Sequence, residues 1–405
     1  MLAKCAQSTW RPAAVQFAVT SDCIKHCQLL VVGAGSGGLG TAAILGNRFN
    51  TVVIDPADFH YYQPYFTFVG AGLKQLEQCR QPLERDVGER KMWYIQQLVL
   101  PLQLMPSSVK WIKEAATSFS PSQNCVVTDS GKRITYDILV VATGIHPDFS
   151  KVFGLVDALK TPHVGSNYTP ETVLKTVEAL RNFKHGNAIF TFPSTPIKCP
   201  GAPQKIAYLT DEYLRNHGKR ESANIIYNTA GEAIFGVKKY AEALWRVAKL
   251  KDINVNLQHN LVQVLPDKRQ AIFEKVENDN RKTLVSMDYD MLHVTPPMYS
   301  IKAVAQSPLA DNAGYVDINK ETLQHVKFKN VFAIGDCTAH LPKTAAAVAA
   351  SLGVLADNVV AFNSGKNLSG RYNGYTSCPL TTGFSKCVLA GTLSYTCSER
   401  EIAEG

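Results

Sequence analysis

The apolar residues of this chain cluster in short continuous runs, each closed by a glycine-rich or small-residue turn. Leu29 to Ala34 is such a run, followed by glycines, a small-residue helix from about Leu39, and a second run from Thr51 to Ile54 that ends on Asp55. Unbroken apolar runs of this length suit strands covered on both faces, and strand, turn, helix, strand in that order is a βαβ unit. Tyr136 to Gly144 (YDILVVATG) reads as another buried strand running into a tight turn, and Asn330 to Asp336 (NVFAIGD) as a strand ending on a carboxylate. Between them Gly186 to Phe192 and Asn224 to Thr229 supply strands for a second α/β unit, with His293 to Met298 (HVTPPM) as its exit. The pattern predicts an α/β protein with two Rossmann-like units, the second inserted in the first.

The first turn carries chemistry. Gly33, Gly35 and Gly38 make a GxGxxG sequence, where missing side chains let backbone amides and a helix N-terminus approach a pyrophosphate. Asp55, 22 residues after Gly33, stands where a ribose hydroxyl can be accepted. The motif points to a dinucleotide without choosing between FAD and NAD.

YDILVVATG and NVFAIGD resemble the closing motifs of two-dinucleotide-domain flavoproteins, the FAD/NAD(P)-linked disulfide reductase-like fold. That resemblance implies FAD, with Asp336 on its ribityl chain, and a helix expected near Lys343 has its positive end toward the flavin. In the second unit the expected glycine turn is replaced by Pro193-Ser-Thr-Pro-Ile-Lys-Cys199-Pro-Gly-Ala-Pro203-Gln-Lys205. Prolines lack the amide hydrogens of a phosphate cradle, so no NAD(P)H site is expected there.

Composition narrows the class. A chain of 405 residues, 45% apolar and 19% charged, buries a large core in two or three domains. The net charge of +8 is spread without a basic run interleaved with aromatics, which disfavours nucleic acid as a partner. The longest apolar candidate for a membrane span, Ala345 to Ala356, is interrupted by Ser351 and shorter than the ~20 residues needed, so no spanning helix is expected. Residues 1–27, with Lys4, Arg11 and Lys25 against Asp22, suit a mitochondrial transit peptide. The ten cysteines include no CxxC pair and no metal-ligand spacing. Cys199 replaces the nucleotide turn, and Cys378 lies in a polar, proline-bounded segment, GYTSCPLTT, read as a loop. Such cysteines are also met as ordinary buried thiols.

GxGxxG followed by FHYYQPYFTFVGAG, then GSNY, FPSTPIKCPGAPQK, AIFGVKKYA, LHVTPPM, GDCT, KTAAAVAA and GYTSCPL, closely resembles the mitochondrial sulfide:quinone oxidoreductase family over about residues 28–75 and 107–390. The resemblance implies a redox disulfide between Cys199 and Cys378, attack on it by hydrogen sulfide, and a persulfide left on Cys378. It further implies electron transfer through FAD to ubiquinone, and sulfur transfer to a small thiol such as glutathione at the mitochondrial inner membrane. It puts Gly33, Gly35, Ser36, Gly37 and Gly38 at the pyrophosphate, Asp55 at the ribose, Gln63 near the cofactor, Asp336 on the flavin chain and Lys343 near the isoalloxazine. The domains expected are residues 28–160 and 301–365 for FAD, 161–300 for the inserted unit, and 366–405 for a redox-cysteine segment. Two departures stand out: residues 77–105 read as an insertion, and the chain ends 27 residues after Cys378, short of the family's apolar helices. Rival readings are a purely structural bridge, a type II NADH:quinone reductase-like enzyme, and a non-catalytic FAD-binding redox sensor. Oligomeric state is open.

Overall fold

A computed structural model of the chain describes residues 25–83, 105–277 and 279–392. Most of the expected transit peptide and most of the expected insertion lie outside the described residues. Strand β1 (Lys25–Val32) takes in the last three residues of the expected leader and is buried without a break from Leu29 onward. Helix α1 (Ser36–Leu45) begins three residues earlier than the pattern suggests, directly after the glycine turn, and leads to β2 (Thr51–Ile54), which is buried throughout. The sheet continues with β3 (Lys110–Ile112), β4 (Ala116–Ser120), β5 (Cys125–Thr128) and β6 (Arg133–Val141). Its spatial order is β3-β2-β1-β6-β5-β4, with β1 parallel to both β2 and β6. β6 alternates in burial at its start and is fully buried from Ile138 to Val141, where both faces are covered.

The chain then leaves this sheet. β7 (Val164–Gly165), α2 (Pro170–Asn182), β8 (Gly186–Phe192), α3 (Ala202–Asn216), β9 (Ala223–Thr229), α4 (Lys238–Leu250), β10 (Ile253–Asn256) and β11 (Met291–His293) build a second, wholly parallel sheet in the order β7-β11-β8-β9-β10. Parallel neighbours need crossovers, and the helices supply them. β12 (Val331–Ala333) returns to pair with Leu139–Val141 of β6, so the second unit is inserted in the first.

Helix α5 (Ala345–Asn363) is longer than the sequence pattern suggests: its 19 residues are apolar enough to cross a membrane by length and composition. Here it serves as a core helix, burying Ala347, Val348, Leu352, Leu355 and Val359. It packs on α1 so closely that a Cβ at Gly40 would stand 2.6 Å from Leu352 Cδ1. Thr344 caps it, accepting the Ala347 amide at 3.1 Å.

The last described element is an antiparallel hairpin, β13 (Thr376–Gly383) and β14 (Lys386–Thr392). Three contacts dock it: Phe384 N donates to Glu212 of α3 at 2.9 Å, Tyr240 of α4 donates to Gly391 O at 2.9 Å, and the Thr376 hydroxyl meets Thr344 at 2.6 Å. Cys378, expected in a loop, is therefore a strand residue.

Candidate active site

The first glycine turn is shaped by close approach. Gly33 has φ +105°, and a Cβ there would lie 2.4 Å from Ala142 O; at Gly38 it would lie 1.7 Å from Gly33 O. Gly38 accordingly stands behind the turn, letting α1 seat on β1, whereas Gly33, Gly35, Ser36 and Gly37 line a cavity of about 820 Å³. The cavity runs past Asp55 and Gln63 to Lys198, Cys199, Asp336 and Lys343. Asp55 accepts from the amides of Ala34 at 2.6 Å and Ala57 at 2.8 Å, and its carboxylate keeps lone pairs for a further donor.

The N-terminal turns of α1 and α5 both reach this cavity, through Ser36 and Ala345. At the α5 end, Lys343 Nζ donates to the carbonyls of Asp336 at 2.9 Å and Thr338 at 3.1 Å and sits 4.3 Å from the Tyr315 ring centre. Burial lowers its pKa. Burial likewise pushes the Asp336 carboxyl up, against the pull of Lys198 and Lys343. Lys198 is itself brought down to about 8 by burial, partly offset by Asp336.

Several polar atoms on the cavity wall are buried without a partner among the described residues: His60 Nε2, Thr143 Oγ1 and both amide atoms of Asn167. Buried polar groups are ordinarily paired, so orphans that face one cavity point to a polar ligand. Glycine cradle, two helix N-termini, acidic residue and orphaned polar groups together fit FAD, and the volume is that of a large-cofactor site.

Cys199 follows β8 and precedes α3, in the place of a nucleotide turn. It has φ +54°, unusual for a residue with a side chain, and is held there by Cys199 N donating to Lys343 O at 2.8 Å and Ala202 N donating to Cys199 O at 2.9 Å. Its sulfur stands 3.8 Å from that of Cys378, 179 residues away. Both are free thiols at this separation, and a small shift closes them to bonding distance. Gly201 makes the approach possible, since a Cβ there would lie 2.2 Å from Leu380 Cδ2 and 2.9 Å from Cys378 Sγ. Cys199 lines the cavity; Cys378 lies behind it.

Every site residue expected from the sequence thus gathers at one cavity or its rear wall. Sequence reasoning missed Lys205, whose Nζ is 3.5 Å from Cys199 Sγ and 3.9 Å from Cys378 Sγ. It also missed the cavity-facing Lys198, Thr143 and Asn167, and Tyr168, a buried cavity residue with an unpartnered hydroxyl. A signal was present: Lys205 lies in the first turn of α3, and helical side chains lean toward the N-terminus, where Cys199 sits. Cys199 is held well below the ordinary thiol range, first by the hydrogen bond with Cys378 and, against burial, by Lys205. Cys378 is correspondingly pushed up.

Comparison with known proteins agrees with this geometry. Residues 27–185 match the family described as pyridine nucleotide-disulphide oxidoreductase. The mitochondrial sulfide:quinone oxidoreductase of Mus musculus is 46% identical over 90% of this chain and 78% of its own length. That of Dictyostelium discoideum is 41% identical over 90% and 77%. In fold, the crystal structure of the sulfide:quinone oxidoreductase from Aquifex aeolicus superposes with a TM-score of 0.72 at 19% identity, covering 91% of this chain and 87% of that one. The chain belongs to the sulfide:quinone oxidoreductase family of FAD-dependent flavoprotein oxidoreductases.

Proposed function

We propose that this chain is a mitochondrial enzyme that oxidises hydrogen sulfide at a Cys199–Cys378 pair and delivers the electrons through FAD to ubiquinone. The observation that carries this reading is the meeting of the two sulfurs, 3.8 Å apart, with one of them on the wall of a dinucleotide-shaped cavity. Hydrosulfide attacks the Cys378 sulfur of the closed bridge; the Cys199–Cys378 bond breaks, a persulfide remains on Cys378, and Cys199 leaves as a thiolate. The low pKa of Cys199 makes it the better leaving group, and its position on the cavity wall turns that thiolate toward the flavin site. A small thiol such as glutathione then removes the outer sulfur from Cys378. FAD, when bound, supplies the two-electron acceptor through which the pair re-forms and ubiquinone is reduced.

In this reading Gly33, Gly35, Ser36 and Gly37 hold the pyrophosphate, Asp55 the ribose, and Gln63, Asp336 and Lys343 the flavin half, while Gly38 supports the turn. We divide the chain into residues 28–160 and 301–365 for FAD, 161–300 for the inserted unit, and 366–405 for the redox-cysteine segment. Peripheral attachment to the mitochondrial inner membrane, where ubiquinone resides, is supported by the exposed Phe384 and Leu389 on the hairpin.

The test is an anaerobic stopped-flow flavin spectrum of the purified chain mixed with sulfide and then with a soluble ubiquinone analogue. Bleaching followed by recovery is expected, with C378S forming no persulfide and C199S binding FAD without bleaching. Normal bleaching of C199S sinks the assignment of the pair.

A further inference from the structure

Lys205 has a place that the cysteine chemistry alone does not explain. It is only 6% exposed, and among the described residues the polar partners of its ammonium are the two sulfurs, at 3.5 and 3.9 Å. A buried ammonium is costly unless a negative charge faces it. The neighbouring groups do not provide one that belongs to Lys205. Tyr62, before the cavity helix Phe66–Gly70, and Tyr168 of the GSNY segment face the pair, and burial raises the pKa of both, so they stay neutral. Asp336 lies near Cys199 but is answered by Lys198 and Lys343.

We propose that Lys205 is a catalytic residue: its ammonium is the fixed countercharge for the single negative charge that arrives as hydrosulfide and departs as the Cys199 thiolate. This rests on the Cys199–Cys378 reading above. The balance is closed. One S–S bond forms between hydrosulfide and Cys378, one breaks between Cys378 and Cys199, and one negative charge passes from the incoming sulfur to Cys199. Lys205 stays protonated throughout and donates no proton. Burial by itself would lower its pKa, but the two sulfurs outweigh that and raise it.

The experiment uses the FAD-loaded protein, its pair reduced under anaerobic conditions. The rate of Cys199 alkylation by iodoacetamide is followed by peptide mass from about pH 4 to about pH 9. The native protein should react well below the ordinary thiol range. In K205M the profile should move to higher pH, cutting the rate at about pH 6 by roughly tenfold or more, and K205R should restore most of it. Superimposable native and K205M profiles with the flavin spectrum retained overturn the proposal, as does a native Cys199 that titrates in the ordinary thiol range. Should K205M not take up FAD, K205Q compared with K205R reads the same difference. Failure of the cysteine pair itself looks different: sulfide would then add no sulfur mass to Cys378 of the native protein, whatever the alkylation profiles.

Discussion

His293 shows how much of this site is set by single buried side chains. It is 1% exposed, stacks on Phe190, and its Nε2 accepts from the Asn167 amide at 3.1 Å, which fixes the segment carrying Asn167 and Tyr168 at the cavity. Burial drives its pKa down to about 3. An unfolded histidine takes up a proton near its ordinary pKa of about 6.5 while the folded one does not, so the unfolded state binds more protons below that pH. The stability contribution is complete above the ordinary value and is lost as pH falls toward 3. H293Q, which keeps an acceptor but does not titrate, should therefore lose stability less steeply than the native protein below about pH 6.5, by up to about 1.4 kcal/mol per pH unit. Urea unfolding at a series of pH values checks this, and parallel curves for the two proteins would remove His293 from the account.

Between elements, two glycines set the approach distances on which the site depends. G38A places a Cβ 1.7 Å from Gly33 O, so α1 cannot seat on β1. The expected product is a protein purified with little or no FAD, seen in the ratio of flavin to protein absorbance. G201A acts elsewhere. Its Cβ would press on Leu380 Cδ2 at 2.2 Å and on Cys378 at 2.9 Å, pushing the β13–β14 hairpin away from α3. FAD content should stay native while sulfide-driven bleaching slows on the order of tenfold or more, since misplacement of reacting atoms by about 1 Å can cost a hundredfold. Native bleaching rates in G201A would show that the hairpin does not set the distance between the sulfurs.

At the scale of the whole molecule, the two Rossmann-like units have taken different tasks. After β1 the chain makes a glycine turn with open amides at the N-terminus of α1. After β8 it makes the Pro193–Cys199 loop instead, and the start of α3 is occupied by Cys199, whose carbonyl accepts the Ala202 amide. A pyridine nucleotide needs those amides free. NADH should accordingly leave the flavin spectrum of the purified protein unchanged under conditions in which sulfide bleaches it. Bleaching by NADH at a comparable rate would favour an NADH-oxidising enzyme on the same fold.

The amino-acid sequence by itself determined the βαβ unit, the dinucleotide turn, the acidic residue that follows it and the strands of the inserted unit. All of these rest on local signals: the period of apolar positions, glycines where a side chain would collide, and an acidic residue at a strand end. Tertiary structure alone decided the rest. Cys378 became a strand residue because its hairpin docks on α3, α4 and the α5 cap, contacts made with residues over 100 positions away in the case of α3 and α4. The α5 helix outran its apolar pattern because Asn358 is held in place by the carbonyls of Thr322 and Gly370 at 2.9 and 3.1 Å. Lys205 faces two sulfurs rather than one because the hairpin brings Cys378 to a helix end that already holds Cys199. Sequence spacing records what one segment prefers, whereas the charge a buried side chain must answer depends on which segments the folded chain packs against it.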